Sequence, residues 1–370
     1  MAQASYDDFR ATRFFTSLDG LRCFSILLVI WHHSPVRDFV DDSIRIASRG
    51  FTGVDFFFVL SGFLITSLML REEEDTGRIS LRGFYLRRVL RIVPLYFLVV
   101  TLSSLWFVGV RGYDMGGLIP YYYAFLSNFL TADIPLLAPT WSLSVEEQYY
   151  LMWPLLMLLM APRQWLRGVF ILMVLGYAFL VTNGILPLPS FGTTEHAEFK
   201  LPIGPYSTIL IGALVAILLH HRRGFICIAL LLGHRVAPLI LFALLFLLWQ
   251  VLPARLMGWP SFAMHLSMAA IIAAVVIRPD HILAPLMTWR PVARLGAISY
   301  GMYLWHLFGH HAGVELSVAM GLTGIAQAWT ILLVMFAVTV VVSEASFRWF
   351  ESFFLRLKAS SRAGRTRPAI

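Results

Sequence analysis

Residues 17–34 read SLDGLRCFSILLVIWHHS, an apolar helical pattern with ionisable groups near both ends. A helix that crosses a hydrocarbon core about 30 Å thick needs roughly 20 mostly apolar residues. Ten stretches of the chain meet this requirement, namely 20–38, 54–70, 93–110, 142–161, 167–183, 204–220, 235–253, 261–277, 297–314 and 325–347. The sequence therefore predicts an all-α integral membrane protein with about ten transmembrane helices.

The composition excludes a soluble globule. The 370 residues are 58% hydrophobic and only 14% charged, with a mean hydropathy of +0.74, which leaves too little polar surface to cover a core of this size. If both termini are cytoplasmic, most Lys and Arg residues fall in the inner connections, as the positive-inside rule requires. The net charge of +8 then needs no nucleic-acid partner, and we predict none.

We predict one transmembrane domain over 1–355 and a basic cytoplasmic tail over 356–370. The tail has five cations and no acid, which suits anionic membrane lipids; they are Arg356, Lys358, Arg362, Arg365 and Arg367. The first fifteen residues lack the pattern of a removable signal peptide. Cys23 and Cys227 both lie in apolar runs, so we expect no disulfide.

Two apolar segments are irregular. IPYYYAFLSNFL, which starts at Ile119, is too short to cross a membrane and fits a re-entrant or interfacial segment. The run from 224 to 252 is apolar almost throughout, but Gly233 and Pro238 are placed where they would break a helix. The seventh span is therefore the least regular of the ten.

The first helix places three ionisable side chains on one face. Arg22 and His33 are eleven positions apart, about 20° from three full turns and about 16 Å along the axis, and Asp19 precedes Arg22 by three. Such groups cost about 2.5 kcal/mol or more each inside a membrane and often mark a functional site. The stripe indicates either a groove that joins a cationic site to an imidazole, or a local Asp19–Arg22 pair with His33 bonded to backbone.

The second span begins with GVDFFFVLSGFLIT at residue 53. Asp55 is a candidate site residue, although at the outer end it could also cap its helix. Ser61 and Gly62 form a narrow place that favours close helix packing, and Ser61 is also a possible nucleophile.

A cytoplasmic segment with six arginines follows, REEEDTGRISLRGFYLRRVLRIVPLY from residue 71. Its acids cluster at the start, which leaves Arg87, Arg88 and Arg91 among aromatic and aliphatic residues. These cations could snorkel among lipid phosphates, or they could bind a multiply phosphorylated ligand such as the nucleotide end of coenzyme A.

The fourth span opens with PTWSLSVEEQYYLMWP at residue 139. Glu146 and Glu147 lie in its first turns, where the helix dipole favours negative charge, and Glu146 shares a face with Ser142. A desolvated carboxylate here could exchange protons, or the serines could cap the helix with the acids that follow. Trp141 is a further candidate.

Two clusters lie near the end of the chain. SYGMYLWHLFGHH, from residue 299, contains the candidates Tyr303 and His306, and the spacing of His306 and His310 alone does not make a metal site. In SEASFRWFE, from residue 343, we expect Glu344, Arg348 and Glu351 to pair on one helix face.

Five of these strings together resemble the membrane-bound acyltransferase family 3, which includes bacterial O-antigen and glycan O-acetyltransferases. They are SLDGLRCFSILLVIWHH, GVDFFFVLSGFLIT, FYLRRVLRIVPLY, TWSLSVEEQYYLMWP and SYGMYLWH, in the order of the family and over essentially the whole chain. Arg22 and His33 match its arginine and histidine separated by ten residues. Cys23 replaces a usual glycine, and FRWFESFF lacks the usual proline after its glutamate.

The resemblance implies about ten helices in the bacterial cytoplasmic membrane, an acyl-CoA donor (usually acetyl-CoA) and no tightly bound cofactor. By position, His33 would be the catalytic base and Arg22 part of the donor site. The donor arginines would be Arg87, Arg88 and Arg91, and Glu146 the matching acid of the fourth span.

We therefore hypothesise direct acyl transfer to a hydroxyl of a glycan or lipid-linked saccharide. His33 would remove the hydroxyl proton, assisted by Glu146, and Asp19 would complete the catalytic set. A covalent intermediate on Ser61 or Cys23 is the less direct route. The rival interpretation is a transporter or flippase, which would consume no thioester.

Overall fold

The structure, a computed structural model, describes residues 5–12 and 14–363. It is 77% helical, which confirms the all-α class. The helices are α1 (Tyr6–Ala11), α2 (Ser17–His32), α3 (Arg45–Ser48), α4 (Thr52–Thr76), α5 (Leu81–Ser104), α6 (Ile119–Tyr123), α7 (Thr140–Leu159), α8 (Trp165–Thr182), α9 (Ile203–His220), α10 (Arg222–Leu232), α11 (Ala237–Val251), α12 (Trp259–Ile277), α13 (Ala284–Met287), α14 (Arg290–Ala297), α15 (Ser299–Ala319), α16 (Gly324–Ser346) and α17 (Ser352–Ala363).

A helix lies at each of the ten predicted spans. Among the described residues, six helical segments are long and apolar enough to cross a membrane, or seven if the pair α10 and α11 counts as one span. The chain is therefore a multi-pass membrane protein. Helix α2 has only 16 residues because it ends before Pro35, while α7 and α15 carry acids or histidines that lower their hydropathy. The count of ten and the cytoplasmic termini stay predictions.

The predicted break in the seventh span is confirmed. Gly233 is the C-cap of α10, Pro238 lies in the first turn of α11, and the two helix axes are bent by 75°. Proline suits the first turn because its missing N–H has no intrahelical partner there. Helix α10 is thus a short, separate element.

Contacts divide the chain into two compact units. Unit 1 contains the described residues of Met1–Ile79, Leu156–Pro189 and Leu201–Ser299, and unit 2 those of Ser80–Leu155, Ser190–Lys200 and Tyr300–Ile370. The prediction of one transmembrane domain with a basic tail stays a prediction. Arg365 and Arg367 of that tail lie outside the described residues, and α17 runs past Arg356 to Ala363.

The core of unit 1 lies among α2, α4, α9 and α12. Helices α4 and α9 approach most closely at two glycines: a Cβ at Gly62 would overlap the carbonyl oxygen of Ile209, and one at Gly212 that of Val59. Small residues allow helix backbones to touch in this way inside a membrane. The interpretation of Ser61-Gly62 as a packing site is therefore confirmed for Gly62.

A buried arginine binds the C-terminal end of α11 and the residues that follow it. The side chain of Arg49, 1% exposed, donates through Nε to the carbonyl oxygen of Trp249 (3.1 Å) and through Nη1 to that of Ala254 (2.9 Å). Its Nη2 donates to the carbonyl oxygens of Leu252 (2.7 Å) and Pro253 (2.8 Å). A guanidinium with its several donors suits the carbonyls that a helix end leaves without partners.

Unit 2 contains α5, α6, most of α7, α15, α16 and α17. It also has a small antiparallel hairpin, β1 (Ser190–Thr193) and β2 (Glu198–Lys200), which the sequence did not predict. The segment predicted to be too short to cross forms α6 and a 3₁₀ turn at Ser127–Phe129. Two π-helical turns, Leu105–Val110 and Phe347–Glu351, follow α5 and α16.

Candidate active site

In unit 1, the predicted stripe on α2 begins with an ion pair. Arg22 Nη1 donates to Asp19 Oδ1 over 2.7 Å, and both side chains are largely buried. The pair lies in the first two turns of the helix, where a carboxylate is favoured by the dipole. Asp19 thus holds Arg22 near the N-terminal end of α2, whereas His33 lies at the C-terminal end.

His33 lies at the other end of α2, as its C-cap. Its Nδ1 lies 2.9 Å from the carbonyl oxygen of Val29. Since a carbonyl can only accept, Nδ1 carries the proton and Nε2 presents a lone pair. That is the tautomer a general base needs.

The neighbouring histidine is oriented differently. Nη1 of Arg37 lies 2.9 Å from Nδ1 of His32, and the rings of His32 and His33 are nearly perpendicular with centroids 5.0 Å apart. The guanidinium makes Nδ1 of His32 an acceptor, so the two histidines have different tautomers. Only His33 belongs to the predicted stripe. The second interpretation of that stripe, a local Asp19–Arg22 pair with His33 bonded to backbone, requires two contacts, and the structure contains both of them.

Asp55 faces a histidine that sequence reasoning missed. Oδ1 of Asp55 lies 3.6 Å from Nε2 of His265 on α12, and Nδ1 of that ring lies 3.2 Å from Oγ1 of Thr208 on α9. His265 is buried. The signal was present in the sequence, because His265 is an ionisable group inside the predicted span 261–277, a position that is costly without a partner.

The two possible nucleophiles in unit 1 occupy packed positions. Ser61 lies next to the Gly62 contact, and Cys23 is buried at 3% exposure on α2. An acyl-enzyme intermediate on either residue stays a hypothesis, and direct transfer requires neither of them.

In unit 2, the three predicted donor arginines lie in the N-terminal half of α5, which the sequence predicts to be nearest the cytoplasm. Arg87, Arg88 and Arg91 are half-buried. The guanidinium of Arg88 stacks over the rings of Phe84 (5.8 Å) and Tyr150 (5.6 Å). Stacked guanidinium groups keep a defined plane, which suits bidentate recognition of phosphate.

The two acids of α7 have different surroundings. Glu146 Oε2 accepts a hydrogen bond from the Tyr150 hydroxyl over 3.1 Å. Glu147 is more enclosed: its Oε1 is fully buried, and the carboxylate interacts electrostatically with Arg88 and Glu146. Glu147 thus interacts with one of the predicted donor arginines, and the role assigned to Glu146 from the sequence stays a prediction.

The serines at the start of α7 bond to groups other than the acids that follow them. Ser142 Oγ lies 2.6 Å from the hydroxyl of Tyr303, which itself donates to the carbonyl oxygen of Pro139 (2.9 Å). Ser144 Oγ lies 2.7 Å from Oγ of Ser127. These bonds fix the entry of α7 rather than form a capping box. Trp141 beside them is 39% exposed.

His306 is fully buried on α15. Its Nδ1 donates to the carbonyl oxygen of Tyr303 over 2.6 Å, because a carbonyl can only accept, and Nε2 is therefore the nitrogen with the lone pair. Among residues 5–12 and 14–363, no group of three or more His, Cys, Asp or Glu side chains is arranged to hold a metal ion.

The predicted pairing near the end of α16 is half correct. Arg348 Nε donates to Glu344 Oε1 over 2.5 Å, as expected for positions four apart. Glu351 instead accepts from Ser346 Oγ (3.2 Å). The π turn Phe347–Glu351 is the reason, because its wider winding rotates Glu351 away from the face of Arg348.

Within each unit, the structure brings several sequence candidates together. Unit 1 holds Asp19, Arg22, His33, Asp55 and Ser61, of which Asp19 and Arg22 are in contact. The contacts Ser142–Tyr303 and Tyr303–His306 and the electrostatic interaction between Arg88 and Glu147 all belong to unit 2.

A family model described as an acyltransferase domain matches residues 15–345. The chain belongs to this acyltransferase family. The match extends through every candidate residue from Asp19 to His306. It confirms the resemblance that the five strings indicated.

The chain is similar to curated bacterial O-acetyltransferases, two of which carry peptidoglycan in their names. A putative peptidoglycan O-acetyltransferase YrhL of Bacillus subtilis is 30% identical over 92% of this chain and 54% of its own length. Peptidoglycan O-acetyltransferase OatA of Listeria monocytogenes is 26% identical over 92% of this chain and 56% of its own length. O-acetyltransferase OatA of Staphylococcus aureus is 28% identical over 80% of this chain and 50% of its own length. The chain spans about half the length of these curated relatives, and no solved structure matches it.

Proposed function

We propose that this acyltransferase moves an acetyl group from an acyl-CoA to a hydroxyl of a glycan in the bacterial cytoplasmic membrane. The family match supports acyl transfer, and the names of the relatives support peptidoglycan or a related saccharide as the acceptor. The buried ionisable groups of the two units support an enzyme, because such groups are costly in a membrane unless they serve a site.

The single observation that carries the proposal is the hydrogen bond from His33 Nδ1 to the carbonyl oxygen of Val29. It leaves Nε2 as the basic nitrogen. Nε2 removes the proton of the acceptor hydroxyl as the oxygen attacks the thioester carbonyl. The C–S bond then breaks, the thiolate takes the proton back from the imidazolium, and an ester and free coenzyme A result.

Four arginines are proposed to bind the acyl-CoA donor. Arg22 is held by Asp19, and Arg87, Arg88 and Arg91 present guanidinium groups on α5. We assign the last three to the donor phosphates, since guanidinium forks bind phosphate oxygens in pairs. The enzyme needs no tightly bound cofactor for this chemistry.

His33→Ala tests the base, with the adjacent histidine as a matched control. The purified protein in nanodiscs is given acetyl-CoA and a soluble peptidoglycan fragment, and released thiol and acetylated product are both measured. We expect His33→Ala to lower the rate by roughly 10² to 10⁴. His32→Ala removes a similar ring from the other face and should retain most of the rate.

Two results would overturn the assignments. Wild-type turnover by His33→Ala would remove His33 as the base. If the wild-type protein released no thiol with any acceptor saccharide, the acyltransferase proposal would be wrong, and a transporter would become the better explanation.

A further inference from the structure

Unit 1 contains a cavity of about 990 Å³ that the proposed reaction does not use. It lies between the start of α1, helix α10 and the segment after α12. None of the catalytic or donor candidates lines it. Its volume is at the upper end of the range of ordinary small-molecule sites.

One side of the cavity is cationic. Arg222, Arg235 and Arg278 line it, together with one carboxylate, Asp7. Asp280 pairs with Arg278 (2.8 Å from Nε) and with Arg235 (3.4 Å from Nε). Three guanidinium groups against two carboxylates leave a net positive charge at the cavity wall.

The cationic wall is built into the fold. Arg278 is 8% exposed, directly after the last residue of α12. The backbone N–H of Ile282 donates to the carbonyl oxygen of Arg235 over 2.9 Å, which joins the segment after α12 to the start of α11. Arg235 and Arg278 are thus held in place from two separate elements.

The other side of the cavity is apolar. Phe225 is buried against the rings of Tyr6 and Phe9, with both centroid distances 5.4 Å. Ile226 and Leu230, further along α10, are 47% and 74% exposed. The cavity therefore offers a ligand both a phosphate-binding wall and an exposed hydrocarbon surface.

The position of the cavity fits the membrane surface. Helix α12 is long and apolar enough to cross the membrane, and Arg278 follows its last residue. Helix α10 has eleven residues, about 16 Å, which is too short to cross a hydrocarbon core of about 30 Å. Its 75° bend from α11 is the geometry of a helix that lies along the interface.

We propose that this cavity is a binding site for one anionic phospholipid, with the phosphate bound by Arg222, Arg235 and Arg278 and an acyl chain lying along Ile226 and Leu230. Charge, apolar surface and depth in the membrane all match an amphiphile with a phosphate at the headgroup level. A soluble phosphate shares the headgroup chemistry but would leave the apolar side of the cavity unused.

Native mass spectrometry tests the proposal. The full chain is released from phosphatidylcholine nanodiscs that contain phosphatidylglycerol, and bound phosphatidylglycerol is counted. We expect Arg222→Gln and Arg235→Gln each to lower retention about fivefold. Arg223→Gln is the matched control, because Arg223 is the next residue on α10, is also exposed and does not line the cavity. It should retain the lipid as the wild type does.

Folding and the source of the phosphate are checked in the same preparations. Equal unfolding temperatures in pure phosphatidylcholine would show that the variants fold, and a loss of retention would then support the proposal. Equal loss in Arg223→Gln would overturn it, since attraction would then be unspecific. Displacement of the lipid by inorganic phosphate or coenzyme A would also overturn it, since the site would then belong to a soluble phosphate.

Discussion

The side chain of His281 shows how a single buried residue links the stability of unit 1 to pH. It lies after α12, outside the spans, at 1% exposure, and its Nε2 is 3.0 Å from Ser17 Oγ at the start of α2. Burial lowers the pKa of His281 from its ordinary 6.5, against a smaller opposite effect of Asp280. The folded protein therefore prefers the neutral ring.

From this we predict acid sensitivity. Because the unfolded chain binds the proton more readily, the stabilisation is complete above about pH 6.5 and is lost as the pH falls below it. The unfolding temperature should drop between roughly pH 7.5 and pH 5.5, and less so in His281→Gln, whose side chain does not titrate. The exposed His221 offers a control: His221→Gln should keep the wild-type pH profile. An unchanged profile in His281→Gln would contradict the prediction.

At the same scale, sequence predicted local contacts better than distant ones. The Asp19–Arg22 pair follows from a spacing of three on one helix. The Asp55–His265 contact joins α4 to α12, more than 200 positions apart, and periodicity within one helix carries no information about it. The electrostatic interaction of Glu147 on α7 with Arg88 on α5 likewise joins two helices.

At the scale of elements, the glycine contact between α4 and α9 predicts a specific destabilisation. In Gly62→Ala the new methyl group would overlap a backbone carbonyl, so the two helices must separate. We expect the free energy of unfolding to fall by about 2 kcal/mol. Gly176→Ala, in α8 with open space around the added Cβ, should be neutral or slightly stabilising. The measurement is thermal or denaturant unfolding in detergent, and equal effects of the two variants would contradict the prediction.

Element positions were largely predictable, whereas local winding was not. Runs of apolar residues indicate a helix regardless of its partners, and Gly233 and Pro238 mark a break through their own backbone chemistry. The π turn Phe347–Glu351 and the hairpin β1–β2 have no comparable signal. The bond from Ser346 to Glu351 spans only five positions at the π turn, and the hairpin is held by backbone pairing between its own strands, but neither contact follows from apolar periodicity.

For the whole molecule, the charge distribution predicts which connections face the cytoplasm. The last turn of α4 and the segment that joins it to α5 should be inside, and the segment that precedes α6 should be outside. In a Cys227→Ser background, Asp114→Cys should react with an impermeant maleimide in intact cells, and Asp75→Cys only after permeabilisation. Both aspartates are exposed, which makes them a matched pair. The reverse pattern would show that the chain has the opposite orientation.

The four hydrogen bonds of Arg49 at the C-terminal end of α11, called here the Arg49 clamp, affect which positions can vary among related sequences. All four of its acceptors are main-chain oxygens, which every amino acid supplies. Side chains at the acceptor positions can therefore change over evolution without loss of the clamp, while the arginine itself has no equivalent replacement. Among related chains we expect the arginine at position 49 to be invariant while the residues at positions 249–254 vary. Pairwise covariation would not detect such a contact, because only one of its two partners is constrained.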